Sequence, residues 1–295
     1  MKWYKSLSFA LLFLVAFASA QTAANRFFYE LTYKPKKGID SLKKAVMILD
    51  ITDKKSLYRD YLTVSQDSVL KIEVEKMQKA GIFKDLSKSI QMPKFAYKIT
   101  KEYPSMKSTF SERMLNSDFG YIDETPLQWN ITSDKQKIGD YDAQKATTEF
   151  GGRKWTAWFT EAIPFPDGPY KFAGLPGLIV KLEDADKNYS WVLTANKKLK
   201  EFEELSYSEK LQAQFGGSKE LKIIPRDKFE SSFETYKKDP FASIRGQIPQ
   251  NQLSAKMPGS DKTVGEMIND QERMIKDFYA ASDNTIELAQ PKTKK

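Results

Sequence analysis

Short aromatic-rich runs, each about the length of a strand, recur along this chain and are divided by prolines and by Asn, Asp and Ser turns. After Pro93 they cover Phe95–Tyr103, Met106–Met114, Gly120–Ile122 and Leu127–Ile131. They continue through Lys137–Phe150, Arg153–Ile163, Leu178–Glu183 and Tyr189–Thr194. Runs of this length between closely spaced turn signals predict an antiparallel meander. The first strand is the best marked: Phe27, Tyr29, Leu31 and Tyr33 fall on one face, Phe28, Glu30 and Thr32 on the other. Lys44–Ile51 reads as a second strand. Asp67–Met77 fits two periods. Leu70, Ile72 and Val74 alternate with charged residues, whereas Leu70, Val74 and Met77 keep helical spacing; the alternation is preferred, which predicts a strand.

Helices are expected late. Phe229, Phe233 and Tyr236 share one face of a segment bracketed by Pro225 and Pro240. A last helix is expected to start at Thr263, which with Glu266 has capping-box spacing, and to run toward Tyr279. Segment 246–260, rich in Gln, Pro and Gly, reads as a loop, and Lys292–Lys295 as a basic tail. The fold class is therefore α+β. It is predominantly antiparallel β, with a strongly curved sheet or half-barrel around an apolar concavity and helices mainly in the C-terminal third. The expected organisation is a leader over 1–20, a β-rich domain over 21–260, and a C-terminal helix and tail over 261–295.

One block stands out, Gly168-Pro-Tyr-Lys-Phe-Ala-Gly-Leu-Pro-Gly-Leu-Ile179, after the aromatic run Arg153-Lys-Trp-Thr-Ala-Trp-Phe-Thr-Glu161. Leu175 precedes a proline and is pushed to an extended conformation. Pro176 and Gly177 then suit the two central positions of a type II turn, the glycine supplying a positive φ. Gly174, Pro176 and Gly177 are thus a tight architectural corner, or else their two glycines let a ligand approach the backbone. In the preceding run Trp155, Ala157 and Phe159 share one strand face, and Trp158 lies between threonines on the other. Trp158 is either a cross-strand packing residue or a half-exposed platform for a ligand or partner. Arg153, Glu161 and Lys171 are the nearest charges. They form a solvated rim or orient an anionic group. With Trp155, Trp158 and Phe172 they are the candidate ligand- or partner-binding residues.

The chain has no cysteine and no histidine. Disulfides, Ser-His-Asp and Cys-His nucleophile systems and the usual zinc sites are thereby excluded, and no metal site or cofactor is indicated. The net charge of +8 is spread among acidic residues without a dense basic stripe, so nucleic-acid binding is not expected. Lys2 and Lys5, the apolar run Phe9–Phe17 and the small residues Ala18-Ser-Ala20 read as an export signal cleaved near Ala20. The expected product is periplasmic or secreted and does not span a membrane.

Three motifs tempt and fail. Asp184-Ala-Asp-Lys-Asn188 opens like a calcium loop but has Tyr189 where glycine is required, so it reads as a hairpin turn. Ser68-Val-Leu-Lys71 and Ser41-Leu-Lys-Lys44 lack the Lys-Thr-Gly that a serine acyl-enzyme would add. Carboxylates for glycoside hydrolysis are plentiful, yet nothing in the sequence pairs them.

The hexapeptide Gly174–Ile179 resembles the signature of the GLPGLI family. The resemblance extends through Trp129-Asn-Ile-Thr, Lys137-Ile-Gly-Asp-Tyr141, Lys145-Ala146, Gly152-Arg153, Ala157-Trp-Phe-Thr160, Ile163-Pro164 and Gly168-Pro169 to the closing Asn284-Thr-Ile-Glu-Leu288. Asp142 stands where many such proteins carry cysteine, so a thiol role does not transfer. The resemblance implies an exported protein from one phylum of Gram-negative bacteria, the Bacteroidota, with an outer-membrane receptor or transporter as a partner, and it brings no catalytic residues. The expected function is a binding or carrier module for an apolar or peptide-like ligand or an outer-membrane partner. A carboxylate-based hydrolase and a purely structural or assembly role are the alternatives.

Overall fold

Alternation of large apolar and polar side chains suits a pleated strand with one buried face, and the aromatic runs become strands. A computed structural model of the protein describes residues 23–81, 86, 91–214, 217–218, 220–256 and 261–288. The expected leader over 1–20 and the basic tail over 292–295 lie outside them. Twelve strands form one sheet: β1 Ala24–Tyr33, β2 Lys43–Ile51, β3 Lys55–Asp60, β4 Lys98–Glu102, β5 Lys107–Met114, β6 Ser117–Asp123, β7 Asn130–Ile138, β8 Tyr141–Phe150, β9 Arg153–Thr160, β10 Leu178–Asp184, β11 Tyr189–Leu199 and β12 Leu221–Ile223. Their spatial order is β12-β6-β5-β4-β3-β2-β1-β11-β10-β9-β8-β7, antiparallel throughout except where β12 runs parallel to β6. Two meanders thus meet along β1 and β11.

The connectivity bends this sheet. β6 and β7 stand ten inter-strand steps apart, about 48 Å in a flat sheet at about 4.8 Å per step. Only residues 124–129 join them, a link that reaches at most about 25 Å when fully extended. The sheet must therefore curl until its two ends face each other across that link. It remains open, since β7 and β6 do not pair.

The concave face carries Phe27, Tyr29, Leu31 and Tyr33 of β1, as their spacing predicts, with Met47 and Leu49 of β2, Tyr58, Ile99, Trp191, Leu182, Trp155 and Phe159, all buried. The expected apolar concavity is not empty. The connection 161–177 between β9 and β10 crosses it, burying Tyr170, Phe172 and Leu175. Tyr29 donates to the Ile179 carbonyl at 2.8 Å, and the Trp191 indole donates to Tyr58 at 2.7 Å.

Seven helices lie among the described residues: α1 Leu62–Ser65, α2 Asp67–Ala80, α3 Tyr207–Gln214, α4 Arg226–Lys238, α5 Ala242–Arg245, α6 Gln250–Leu253 and α7 Val264–Ala280. α4 packs Phe229 against Tyr121 and Met114, the face its spacing predicts. α7 opens on the expected Thr263–Glu266 capping box. Asp67–Met77 is corrected, because it is helix α2 rather than a strand, closed by Gly81 at φ +64°. Only Val74 of it is buried, so the alternating Leu70 and Ile72 never had a sheet face to fill. Segment 246–256 is not wholly loop, since it holds α6.

Candidate ligand-binding cleft

Two glycines shape the crossing of 161–177. Gly174 sits at φ +92°, where a side chain is strained. Gly177 plays a different part from the one its sequence suggests. It has no positive φ, and its N–H donates to the Leu175 carbonyl at 2.8 Å. Pro176 therefore centres a three-residue turn rather than a type II turn. Glycine is needed because a Cβ at 177 would stand 2.1 Å from the Thr160 carbonyl oxygen.

A buried lysine pins the crossing to the sheet. Lys101 of β4 forms an ion pair with Asp167 at 2.5 Å and donates to the Gly168 and Tyr170 carbonyls at 2.7 and 2.8 Å. Tyr103 donates to the other Asp167 oxygen. Burial lowers the Lys101 pKa while Asp167 opposes the shift. All three ammonium protons are occupied, so the group is a fastener and not a free base.

Two residues after Pro169, Lys171 enters a second cluster at the seam where the sheet ends meet. Its ammonium lies 2.6 Å from Glu287 Oε1, 2.9 Å from Asp123 Oδ2 and 3.1 Å from the Tyr121 hydroxyl, 4.8 Å above the Tyr121 ring centroid. Tyr170 donates to Glu287 Oε1 at 2.6 Å, and Arg226, the first residue of α4, reaches Glu287 Oε2 at 2.8 Å. Burial acts to raise both carboxyls, but Lys171, joined at Glu287 by Arg226, holds Asp123 and Glu287 below the usual carboxylate range. Burial would lower Lys171, and Glu287, Tyr121 and Asp123 more than offset it.

Beside this cluster opens a cleft of about 340 Å³. Its walls come from three remote segments: the start of β5 (Lys107, Ser108), the end of β6 and the link after it (Asp123, Glu124, Leu127) and the crossing (Lys171, Ala173, Gly174), with Phe150. Its lining mixes apolar Met106, Pro126, Leu127, Phe150 and Ala173 with polar Ser105, Ser108 and Thr125 and the charged Lys107, Glu124, Asp123 and Lys171. Trp129 in the β6–β7 link donates its indole N–H to the Ala173 carbonyl at 2.8 Å, fixing one wall to another. Among the described residues no three Asp or Glu gather as a group able to hold a metal ion.

The candidate residues part company here. Of the candidate side chains Lys171 alone lines the cleft, beside the backbone of Gly174. Trp155 and Phe172 are core, with ring centroids 4.8 Å apart. Arg153 is buried and serves the fold: it pairs with Asp184 at 3.0 Å and donates to Asn284 Oδ1 at 2.7 Å and to the Thr285 and Ile286 carbonyls at 2.8 and 3.0 Å. Trp158 faces the other side of the sheet and is buried there at 9 % exposure, so it is no half-exposed platform. Glu161 is exposed beside a separate depression with Asp142. The Asp184–Asn188 segment is the expected hairpin turn, with Asp184 accepting from the Tyr189 N–H at 2.7 Å. Asp123, Tyr121, Tyr170, Arg226 and Glu287 were not singled out. Glu287 had a signal, the closing Asn284–Leu288 motif; Asp123 looks like any hairpin-end carboxylate.

Residues 151–181 match a family described as "Protein of unknown function (Porph_ging)". No curated protein matches the chain. Two solved structures of PNGF-II are similar in fold. One, in a C2 crystal form, gives a TM-score of 0.50 at 16% identity over 73% of this chain, and one in a P21 form gives 0.47 at 16% over 72%. The chain spans 33% of the length of each. At that identity the likeness concerns the fold alone. Among the described residues no helix is long and apolar enough to cross a membrane.

Proposed function

We propose that the protein is a small-ligand-binding module, exported as its first twenty residues suggest, whose site is the cleft beside Lys171. One observation carries this reading: the seam of the curled sheet holds a cleft of about 340 Å³ in which charged groups converge beside a few apolar side chains, and convergent polar groups in a concavity are what fixes a small ligand. A wide apolar carrier cavity is not favoured, because the crossing segment fills the concave face.

Hydrolysis by carboxylates has less support. General acid–base work needs a carboxyl whose pKa lies near the working pH. Asp123 and Glu287 are both held ionised, and Glu112, whose carboxyl is raised to about 7, is hydrogen-bonded to Tyr279 of α7 and buried under the helices.

The test is nuclear magnetic resonance of the isotope-labelled protein against a panel of short peptides and aliphatic acids. The Trp129 indole N–H and the amides of 123–127 and 172–174 should shift together. Leu127→Trp, which fills the cleft from its wall, should abolish the response and leave the spectrum folded. Shifts elsewhere, or shifts that survive Leu127→Trp, would overturn the assignment.

A further inference from the structure

The cleft carries two ion pairs of unequal standing. Lys107 and Glu124 face each other across the rim at 2.8 Å, with side chains 38% and 68% exposed. Lys171 and Asp123 close the inner end at 2.9 Å, with side chains 2% and 9% exposed. An exposed pair contributes little and is weakened further by salt, so parting it costs a ligand little. A buried pair resists separation, because each partner would be left desolvated and uncompensated. The rim pair is therefore the exchangeable one and the inner pair is fixed wall.

That asymmetry names a ligand class. A ligand seated here replaces one cation and one anion at the rim, so it needs an anion for Lys107 and a cation for Glu124. The rest of the lining sets Met106, Pro126, Leu127, Phe150 and Ala173 beside Ser105, Ser108 and Thr125, which calls for a body with apolar side chains on a polar backbone. A polyanion such as a nucleotide would find Lys171 already committed to Asp123 and Glu287, leaving Lys107 alone to face it beside Glu124, and an uncharged lipid would leave the rim pair closed. Resting on the binding reading above, we propose that the cleft takes a short apolar peptide with both termini free. Its ammonium pairs with Glu124, its carboxylate with Lys107, and its side chains lie on Leu127 and Phe150.

The experiment is calorimetric titration of the full chain with the dipeptide Leu-Phe, its N-acetyl form and its C-terminal amide. Each blocking group should weaken binding about threefold, the loss of one solvent-exposed ion pair. In Glu124→Gln the penalty for acetylation should vanish while that for amidation persists, and in Lys107→Gln the reverse should hold. Both residues are surface groups, so both variants are expected to fold, and their thermal melts check this. Blocked peptides that bind as tightly as the free one would overturn the inference and leave the binding module standing. The same holds if no peptide binds while other small ligands shift the Trp129 indole. A cleft that answers to nothing in either experiment would remove both readings.

Discussion

Glu112 shows how one buried carboxyl couples this fold to pH. It lies on the concave face of β5, 6% exposed, beneath α4 and α7, and its one hydrogen bond comes from the Tyr279 hydroxyl at 2.9 Å. Burial raises its pKa to about 7, opposed by that bond and by Lys237 of α4; Tyr97 and Tyr236 are further titratable groups that face it. In the unfolded chain the same carboxyl titrates near 4.5. The folded state thus binds the proton more tightly, and stability falls as pH rises from about 4.5 to about 7. The full shift corresponds to about 3 kcal/mol, an upper figure. Asp60 and Asp67, also raised by burial, act in the same direction. We expect Glu112→Gln to be more stable than the parent at pH 8 and equal or weaker at pH 4.5. Urea midpoints at the two pH values measure this, and parallel pH profiles for the two proteins would show that Glu112 is not the group responsible.

At the scale of elements, the segment after α7 acts as a clasp. Asn284 and Ile286 are buried, Leu288 N–H donates to the Gly151 carbonyl at 2.8 Å, and Arg153 holds three successive residues of the segment. Gly151 leaves room for it, since a Cβ there would meet Glu287 at 2.8 Å. Arg153→Ala would leave Asp184 buried without its cation and free the clasp, at a cost of about 3–5 kcal/mol. Exchange of the Leu288 amide should accelerate well beyond what global unfolding requires; unchanged exchange would mean that Ile286 and Asn284 hold the clasp unaided. This arrangement explains physically why the Gly152-Arg153 pair and the closing Asn284–Leu288 motif belong together, a link that sequence spacing cannot express. The strands were legible because a period of two records a buried face directly, as in Phe27 to Tyr33. Helix α2 was not, because it buries only Val74 and leaves Val69 and Ile72 about half exposed. A helix without a committed face carries no dependable period. The cleft was legible only at Lys171 and Gly174, because its other walls are ordinary residues of segments brought together by the curl of the sheet.

For the whole molecule, an open twelve-strand sheet poses an association problem, since each end presents unpaired backbone groups to any other strand. One end is closed by β12, three residues long. The other is β7, nine residues and almost wholly exposed, and it is protected in two ways. Its register against β8 slips between Ile131 and Lys135, a bulge that bends the edge away from a flat partner. Beyond the bulge, Lys135 and Lys137 place like charges where a second copy of the strand would lie. The parent protein should therefore sediment as a monomer at micromolar concentration. Lys135→Val with Lys137→Val removes the charge but not the bulge, and raises strand propensity along the exposed edge. It should self-associate with a gain in strand signal by circular dichroism, more strongly as salt rises. If the double variant stays monomeric, the bulge alone guards the edge. A parent that already dimerises through β7 would show that the edge is an interface and that its lysines have partners of opposite charge.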